Sequence, residues 1–221
     1  MSVPKIIATI IVFLISCIGW FILGTVTTLR SDEYFSRLGP QVEALWGTPL
    51  IQKAPAFSVQ IPGTRQVRWI MPSKNEITAE IQPDYRKKGL IWYPTYICRF
   101  EGSYTITNTE EVLQKIRLHF SFPAKGATYD NFAAYIDKRM LLTAVDTKQG
   151  LGEIIELAPG KRTEFKIKYE TRGIESWRYQ MDQNVGRIQN LMMRVKTGFS
   201  DVDYTQGSLS PMSTKSIQDG N

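Results

Sequence analysis

The chain begins with a long run of apolar residues. Residues 6–29 carry no charge, while Lys5 precedes the run and Arg30 follows it. As a helix this run extends about 36 Å, at a rise of ~1.5 Å per residue, which is enough to cross the ~30 Å hydrocarbon core of a bilayer with some tilt. The pattern therefore predicts a transmembrane anchor within residues 1–30. The membrane-spanning residues include Ile6, Ile11, Phe13, Trp20, Phe21 and Leu29.

A cleaved signal peptide and a buried soluble helix stay open as alternatives for this apolar run. A cleaved signal peptide has a shorter apolar core of about 7–15 residues and an A-x-A-like cleavage site. Near the end of this run stands Gly24-Thr25-Val26, which is a poor cleavage site. A buried helix of a soluble protein normally keeps a polar face, and this run has none. Its threonines are compatible with lipid, because a hydroxyl group can bond to the backbone of its own helix. A retained anchor is the interpretation that we favour.

The hydrophobic pattern changes after the anchor. Residues 31–52 are expected to form a membrane-proximal connector, in which Ser31 caps a short helix and Pro40 ends it. A second short helical turn is expected at 41–46. Across residues 53–205 apolar and polar side chains alternate with a period of two, which is typical of strands with one buried face. Residues 206–221 are polar, and we expect them to form a loose tail.

The alternation predicts four clear strands. Their buried faces are expected to consist of Tyr96, Cys98, Phe100, Tyr104 and Ile106; of Ile116, Leu118, Phe120 and Phe122; of Phe165, Ile167 and Tyr169; and of Leu191, Met193 and Val195. Shorter strands are expected at 67–71, 77–81 and 132–136, although the last also has helical spacing. About eight strands separated by turns such as Pro159-Gly160 predict a mainly β fold, an antiparallel β-sandwich of the fibronectin or immunoglobulin type.

Charge and cysteine content narrow the possible partners. The formal net charge is +6, but the basic residues are scattered, so the sequence does not indicate nucleic-acid binding. Cys17 lies in the anchor and Cys98 in the β region, so we expect no disulfide between them.

Lys5 flanks one end of the apolar run and Arg30 and Arg37 flank the other. The charge bias therefore does not decide which side of the membrane holds the β region.

The sequence holds no recognisable catalytic motif. Its only histidine, His119, lies on the polar face of a predicted strand, and no G-x-S-x-G motif is present. One histidine and one available cysteine do not make a zinc site. The stretch "APGKRT" lacks the Ser or Thr that a phosphate-binding loop needs directly after Gly-Lys. We therefore expect neither an enzyme nor a bound metal or cofactor.

Two places are candidates for binding. Small or hydroxylated residues in the anchor favour close contact with a partner helix; these are Ser16, Gly19 and Gly24. A basic hairpin tip followed by aromatic residues favours an anionic lipid headgroup or a glycan; its residues are Arg86, Lys87, Lys88, Trp92 and Tyr93. Aromatic residues in strands are more often part of the core, and that alternative also stays open here.

Three stretches resemble one group of bacterial inner-membrane proteins. They are "LWGTPLIQKAPAFSVQIP", "RKKGLIWYPTYICRFEGSY" and "TRGIESWRYQM". Together with the anchor, they are similar to CreD-type proteins, which are linked to colicin tolerance and carry one spanning helix before a β-rich periplasmic region. Those proteins end in several further spanning helices and have a longer periplasmic region. The resemblance therefore implies either a shorter relative or the first part of a larger multi-spanning protein.

This resemblance implies a cytoplasmic N-terminus and a periplasmic β region on a single-pass chain of the inner membrane. The function that we expect is that of an accessory or scaffolding subunit, whose partners are the lipid bilayer and other membrane or envelope proteins. A periplasmic binding module for anionic lipid headgroups or a glycan is the alternative.

Overall fold

The structure is a computed structural model that describes residues 3–89, 91–141, 146–181 and 190–215. For Thr9 and residues 31–44 it describes the backbone alone. The chain divides into two compact units, Met1–Leu45 and Trp46–Asn221. The second unit thus begins before residue 53, where the sequence placed the start of the β region.

A single α-helix, α1 (Val3–Trp46), occupies the N-terminal part of the chain. Within the described residues, Val3–Arg30 is the one helical stretch long and apolar enough to cross a membrane, and none of it is buried. The predicted helix start at Ser31 and helix end at Pro40 are both wrong, because one helix runs through both residues to Trp46. Proline removes one backbone hydrogen bond and kinks a helix without having to end it. The helix ends instead before Gly47, whose φ of +102° suits glycine after a helix C-terminus.

The second unit is mainly β, and its described residues form fourteen strands of very different length. They are β1 (Leu50–Lys53), β2 (Ala56–Gln60), β3 (Val67–Trp69), β4 (Lys74–Pro83), β5 (Arg86–Lys88), β6 (Ile91–Tyr93), β7 (Thr95–Thr107), β8 (Gln114–Phe120), β9 (Asp130–Ile136), β10 (Arg139–Met140), β11 (Leu151–Leu157), β12 (Arg162–Ile174), β13 (Trp177–Gln180) and β14 (Leu191–Thr197). The four clear strands of the sequence correspond to β7, β8, β12 and β14. The stretch 132–136, which also had helical spacing, is part of a strand.

These strands form four sheets. The large sheet has six strands in the order β10-β9-β12-β7-β4-β14, and the small sheet has four in the order β11-β8-β2-β3. The strands β1 and β13 form one two-stranded sheet, and β5 and β6 form another. β7 and β12 are paired along their whole length, so they form the centre of the large sheet.

The expectation of a wholly antiparallel fold is wrong at two places. β14 runs parallel to β4, and β1 runs parallel to β13. In both cases the paired strands are far apart in the chain, so no hairpin turn forces them to be antiparallel. The alternation of side chains along a strand shows which residues share a face, but it does not show the direction of the neighbouring strand.

Aromatic side chains from both larger sheets meet in the core. The ring centroid of Phe165 in β12 lies 6.4 Å from that of Phe57 in β2 and 6.3 Å from that of Phe120 in β8. Phe100 in β7 stacks on Tyr169 in β12, with centroids 5.1 Å apart. Burial of such large rings supplies much of the free energy that stabilises a domain of this size. The faces predicted for β7, β8 and β12 are confirmed, because their apolar side chains are buried.

The strand β1 joins this core although it lies in the predicted connector. Leu50 is 1% exposed and Gln52 is fully buried. The side-chain amide of Gln52 donates to the carbonyl of Ser121 over 3.2 Å. The stretch after the helix is therefore part of the β unit and is held by both packing and polar contacts. The predicted tail, residues 206–221, is exposed and without regular structure as far as residue 215, and residues 216–221 lie outside the described part.

Candidate functional site

β5 and β6 form a hairpin that continues the β4–β7 pair. β4 ends at Pro83 and β7 begins at Thr95. Between these strands and the hairpin, the backbone N–H of Asp84 donates to the carbonyl of Thr95 over 2.9 Å. Gly89 directly follows β5 and has φ +63°, a conformation that hairpin turns use and that glycine adopts without strain.

The hairpin brings together all five residues predicted to bind a ligand. Its register pairs Arg86 with Tyr93 and Lys87 with Trp92, and Lys88 lies opposite Ile91. Trp92 is 64% exposed, whereas Tyr93 is 9% exposed. The surface that the hairpin offers to a partner therefore includes the indole ring and the lysine opposite it.

Lys87 and Trp92 form a cation–π pair on this surface. The ammonium nitrogen of Lys87 lies 5.6 Å from the centroid of the Trp92 ring, within the distance at which the ring face attracts a cation. An exposed indole beside a lysine suits the headgroup region of a membrane, where tryptophan is enriched and basic residues attract anionic lipids. The pair therefore combines an exposed aromatic face with a positive charge.

Asp84 compensates part of the positive charge around the hairpin. Its carboxylate oxygen Oδ2 lies 2.8 Å from Nη2 of Arg86 and 3.8 Å from Nη1 of Arg172. One carboxylate between two guanidinium groups leaves an excess of positive charge, to which Lys87 adds. Asp84 therefore offsets only part of the positive charge of Arg86 and Arg172.

Tyr93 faces inward and supports the hairpin from the protein side. Its ring centroid lies 5.5 Å from that of Trp46, the first residue of the second unit. The hairpin thus packs beside the point where the chain enters this unit. Two buried polar atoms, the hydroxyl of Tyr93 and the indole nitrogen of Trp177, have no hydrogen-bond partner within the described residues.

The residues predicted to span the membrane are exposed along α1. The set comprises Ile6, Ile11, Phe13, Trp20, Phe21 and Leu29. The hydroxyls of Thr25, Thr27 and Thr28 each donate to the carbonyl four residues earlier, over 2.9, 2.8 and 3.0 Å. The expectation that these threonines bond to their own helix is confirmed, and a span that satisfies its polar groups internally suits lipid.

The three predicted helix-contact residues do not share one face of α1. Gly24 lies in a shallow depression lined by Trp20, Phe21 and Thr28, among others. Gly19 precedes Gly24 by five residues, which places it about 140° away around the helix. Ser16 lies eight residues before Gly24, about 80° away. The depression at Gly24 is therefore one place on this helix where another helix can approach closely.

A polar groove lies on the outer face of the large sheet, and the sequence pattern did not predict it. Its lining includes Glu76, Thr78, Glu101, Ser103, Glu164, Lys166 and Arg194. Ser103 donates to Glu164 over 2.5 Å, and Lys166 lies 3.0 Å from the same carboxylate. The hydrogen bond from Ser103 and the charge of Lys166 lower the pKa of Glu164. Ion pairs of this kind are usual on a solvated sheet face, so the groove by itself indicates no ligand.

Reactive side chains are few in the second unit. Cys98 is fully buried, and burial raises the pKa of its thiol to about 12, so the nucleophilic thiolate is scarce near neutral pH. His119 lies 3.2 Å from the hydroxyl of Ser121. Across the described parts of the chain, no three His, Cys, Asp or Glu side chains come together in a way that could hold a metal ion.

Comparison with known proteins gives little help with function. No protein-family model and no curated protein matches this chain. One solved structure, a Legionella pneumophila protein described as a "putative nutrient binding protein", aligns over 56% of this chain and 44% of its own length. The identity is 10% and the TM-score is 0.26. The chain thus matches less than half of that protein, and a similarity this low supports no conclusion about function.

Proposed function

We propose that this chain is a membrane-anchored accessory or scaffolding subunit, which holds other membrane or envelope proteins through its helix and its β unit. The observation that carries the proposal is the contrast between the two units. The described side chains of the apolar stretch Val3–Arg30 are exposed, whereas the β unit encloses an aromatic core of its own. A helix of this kind is stable in lipid, and a unit with its own core is able to fold without it.

The proposal includes a topology and a fold type. The N-terminus lies in the cytoplasm and the β unit in the periplasm of a bacterial inner membrane, as the resemblance to CreD-type proteins implies. The large and small sheets form a sandwich of the fibronectin or immunoglobulin type. The contacts of Phe57 and Phe120 with Phe165 support the sandwich, because they join the two sheets face to face.

Within the membrane, the proposed contact with a partner helix is at Gly24. The positions that a Cβ atom would take at Gly24 and at Gly19 are both open, but the depression lies at Gly24, where the flanking Trp20 and Phe21 project from the helix surface. A partner helix gains dispersion contacts when it fits against such a depression. A bulky residue at this position prevents the close approach.

Purification of the full chain from native membranes tests the proposal. The chain is solubilised in mild detergent and isolated together with its partners. Three forms are compared: the unchanged sequence, Gly24→Leu, and the control Gly19→Leu on another part of the helix surface. We expect at least one membrane protein to co-purify in a fixed ratio and to resist high salt. We also expect Gly24→Leu to lose it and Gly19→Leu to retain it.

Absence of any such protein, or equal loss from both glycine variants, contradicts the proposed helix contact. Equal retention by both variants contradicts it as well.

A second candidate function is favoured by the Lys87–Trp92 pair. In this case the hairpin binds anionic lipid headgroups, and the β unit lies against the membrane surface. The geometry of an exposed indole with an ammonium group at 5.6 Å supports this function.

Limited proteolysis of the full chain in lipid nanodiscs of different anionic lipid content separates the two candidate functions. The variant Lys87→Ala with Trp92→Ala is compared with Lys125→Ala, an exposed lysine elsewhere on the β unit. If the hairpin binds headgroups, raising the anionic lipid content protects residues 86–93 from limited proteolysis, and the double variant loses this protection. Protection that is independent of lipid charge, or unaffected by the double variant, contradicts the function.

A further inference from the structure

β14 presents an uncovered apolar face. Met193 and Val195 are 43% and 44% exposed, although they lie beside Ile77 and Ala79 of β4, which are 2% and 0% exposed. The core-side face of the large sheet thus continues onto β14 without the cover that protects β4. Exposed apolar side chains on an edge strand are a place where another strand can add to a sheet.

The backbone of β14 also has one open edge. Asn75 donates to the carbonyl of Asn190 over 3.0 Å, and Gly198 donates to the carbonyl of Ile81 over 2.9 Å. Even-numbered residues of this strand therefore turn their backbone groups toward β4, and the odd-numbered ones, such as Met193 and Val195, turn theirs away. Among the described residues no strand pairs with this outer edge.

The segment 200–205 has a pattern that complements this edge. Asp201 and Asp203 alternate with Val202 and Tyr204, as in a strand with one acidic face and one apolar face. The segment forms no strand itself, and Val202 and Tyr204 are 40% and 50% exposed. It therefore has the side chains of a strand and lacks a sheet to join.

One antiparallel register matches the charged and the apolar side chains of the two segments. When Val202 lies opposite Val195, the acidic residues face the basic ones, and tyrosine faces methionine. The charged and apolar pairs are Lys196 with Asp201, Arg194 with Asp203 and Met193 with Tyr204, while Thr197 lies opposite Ser200 and Met192 opposite Thr205. Opposite charges and apolar pairs directly across a ladder are stabilising. A shift by one residue would place both aspartates on the apolar face, so the register is well specified.

Within one chain the segment does not reach its own strand. A two-residue hairpin at Gly198 needs a positive φ at the glycine, but Gly198 is not among the glycines with positive φ. It is bonded to Ile81 instead, and the hydroxyl of Thr197 donates to the carbonyl of Phe199 over 2.8 Å. Gly198 thus continues the ladder with β4, and residues 200–205 form no strand that pairs with β14 of the same chain.

We propose that the segment 200–205 of one copy of this chain pairs with β14 of a second copy, and that the exchange is reciprocal. A two-fold arrangement forms both ladders at once and leaves neither edge open. This dimer does not depend on the proposed accessory function or on the contact at Gly24.

Disulfide trapping in the full chain tests the dimer. Two differently tagged chains, both with Cys17→Ser, are expressed together in membranes and oxidised mildly. One chain carries Arg194→Cys. The other carries Asp203→Cys or, as the register control, Val202→Cys, which belongs to the opposite face. Residues opposite each other in a non-hydrogen-bonded pair are close enough for a disulfide. We expect a disulfide between the tagged chains with Asp203→Cys and at least ~5-fold less with Val202→Cys.

Exchange of charges gives a second readout that does not need cysteine. Arg194→Asp or Asp203→Arg alone is expected to weaken the dimer in mild detergent about 10-fold, since each variant places like charges opposite each other in both ladders. The two changes combined in one chain should restore the affinity to within about threefold. Lack of a disulfide between chains, equal trapping with Val202→Cys, or failure of the combined variant to recover would overturn the proposal. A disulfide formed within one chain that carries both Arg194→Cys and Asp203→Cys would overturn it as well.

Discussion

Tyr169 in β12 donates its phenolic hydrogen to the side-chain oxygen of Gln52 in β1 over 2.5 Å. The two residues are 3% and 0% exposed. This bond joins the first strand of the β unit to the centre of the large sheet. It also satisfies two polar groups that would otherwise be costly to bury. The segment that follows the helix is therefore fixed to the β unit by a buried polar contact as well as by apolar packing.

Replacement of Gln52 by leucine should destabilise the β unit. The change leaves the hydroxyl of Tyr169 buried without this partner, which costs about 1–3 kcal/mol. Denaturant unfolding of the full chain in mild detergent, followed by tryptophan fluorescence, measures the loss. Combining Gln52→Leu with Tyr169→Phe should cost less than the sum of the single changes, because both remove the same bond. Strict additivity would show that the bond does not stabilise the protein.

A methyl group at Gly173 should also destabilise the fold. A Cβ atom at this position would lie 2.5 Å from the ring and hydroxyl of Tyr96 and 2.7 Å from Cγ of Leu50. Overpacking of this kind costs about 1–3 kcal/mol, so Gly173→Ala should lower the unfolding midpoint. The control is Gly152→Ala in β11, where nothing lies within 4 Å of the new atom. If both variants unfold at the same denaturant concentration, Gly173 does not pack closely against Tyr96 and Leu50.

The thiol of Cys98 should be protected from alkylation in the folded protein. It is fully buried, and its raised pKa of about 12 keeps it protonated near neutral pH. In a Cys17→Ser chain at pH 8, we expect labelling to be at least ~100-fold slower than for the same chain in denaturant. Mass spectrometry measures both rates. Rapid labelling of the folded chain would mean that β7 does not bury this residue.

The buried tyrosines should make the β unit unstable at high pH. Burial raises the pKa of Tyr129 and of Tyr179 to about 12 from a reference value of 10.0, and it raises the pKa of Tyr104 and of Tyr169 well above that reference. Above pH ~10 the unfolded state loses protons that the folded state keeps. The free energy of unfolding therefore falls, by about 1.4 kcal/mol per pH unit for each such group.

Measurement of the free energy of unfolding between pH 9 and 12 tests this expectation. The stability that these tyrosines contribute should be intact below pH ~10 and lost as the pH rises through 12. Tyr179→Phe should reduce the slope, since it removes one of the groups. A stability that is constant over this range, or a slope unchanged in Tyr179→Phe, would contradict the burial of the tyrosines.

The sequence was sufficient for those parts of the fold that depend on local patterns. The alternation of apolar and polar residues with a period of two identified the buried faces of β7, β8 and β12, and the apolar run identified the helix. The hairpin with Lys87 and Trp92 was also anticipated, because a basic turn beside aromatic residues is a local feature. Local pattern is informative here because it reflects which side of an element meets water.

Other parts depend on contacts between distant residues and gave no local signal. Gln52 and Tyr169 are 117 residues apart, so nothing near Gln52 marked it as a buried residue. The groove at Glu164 exists only in the register that β7 and β12 adopt. Met193 and Val195 were expected on the buried face of their strand, and this expectation is wrong because both are exposed; alternation does not show whether another layer covers a face. Their exposure became visible only in the folded structure.

The fate of the apolar helix is the central question for function. We propose to isolate membranes from cells that express the full chain, to extract them with alkaline carbonate, and to determine the N-terminal sequence of the material by mass spectrometry. A retained anchor predicts a chain that stays in the membrane pellet and still contains residues 3–30. A chain that begins after Leu29, or one that carbonate releases into the supernatant, would contradict the assignment of this protein as a membrane-anchored subunit.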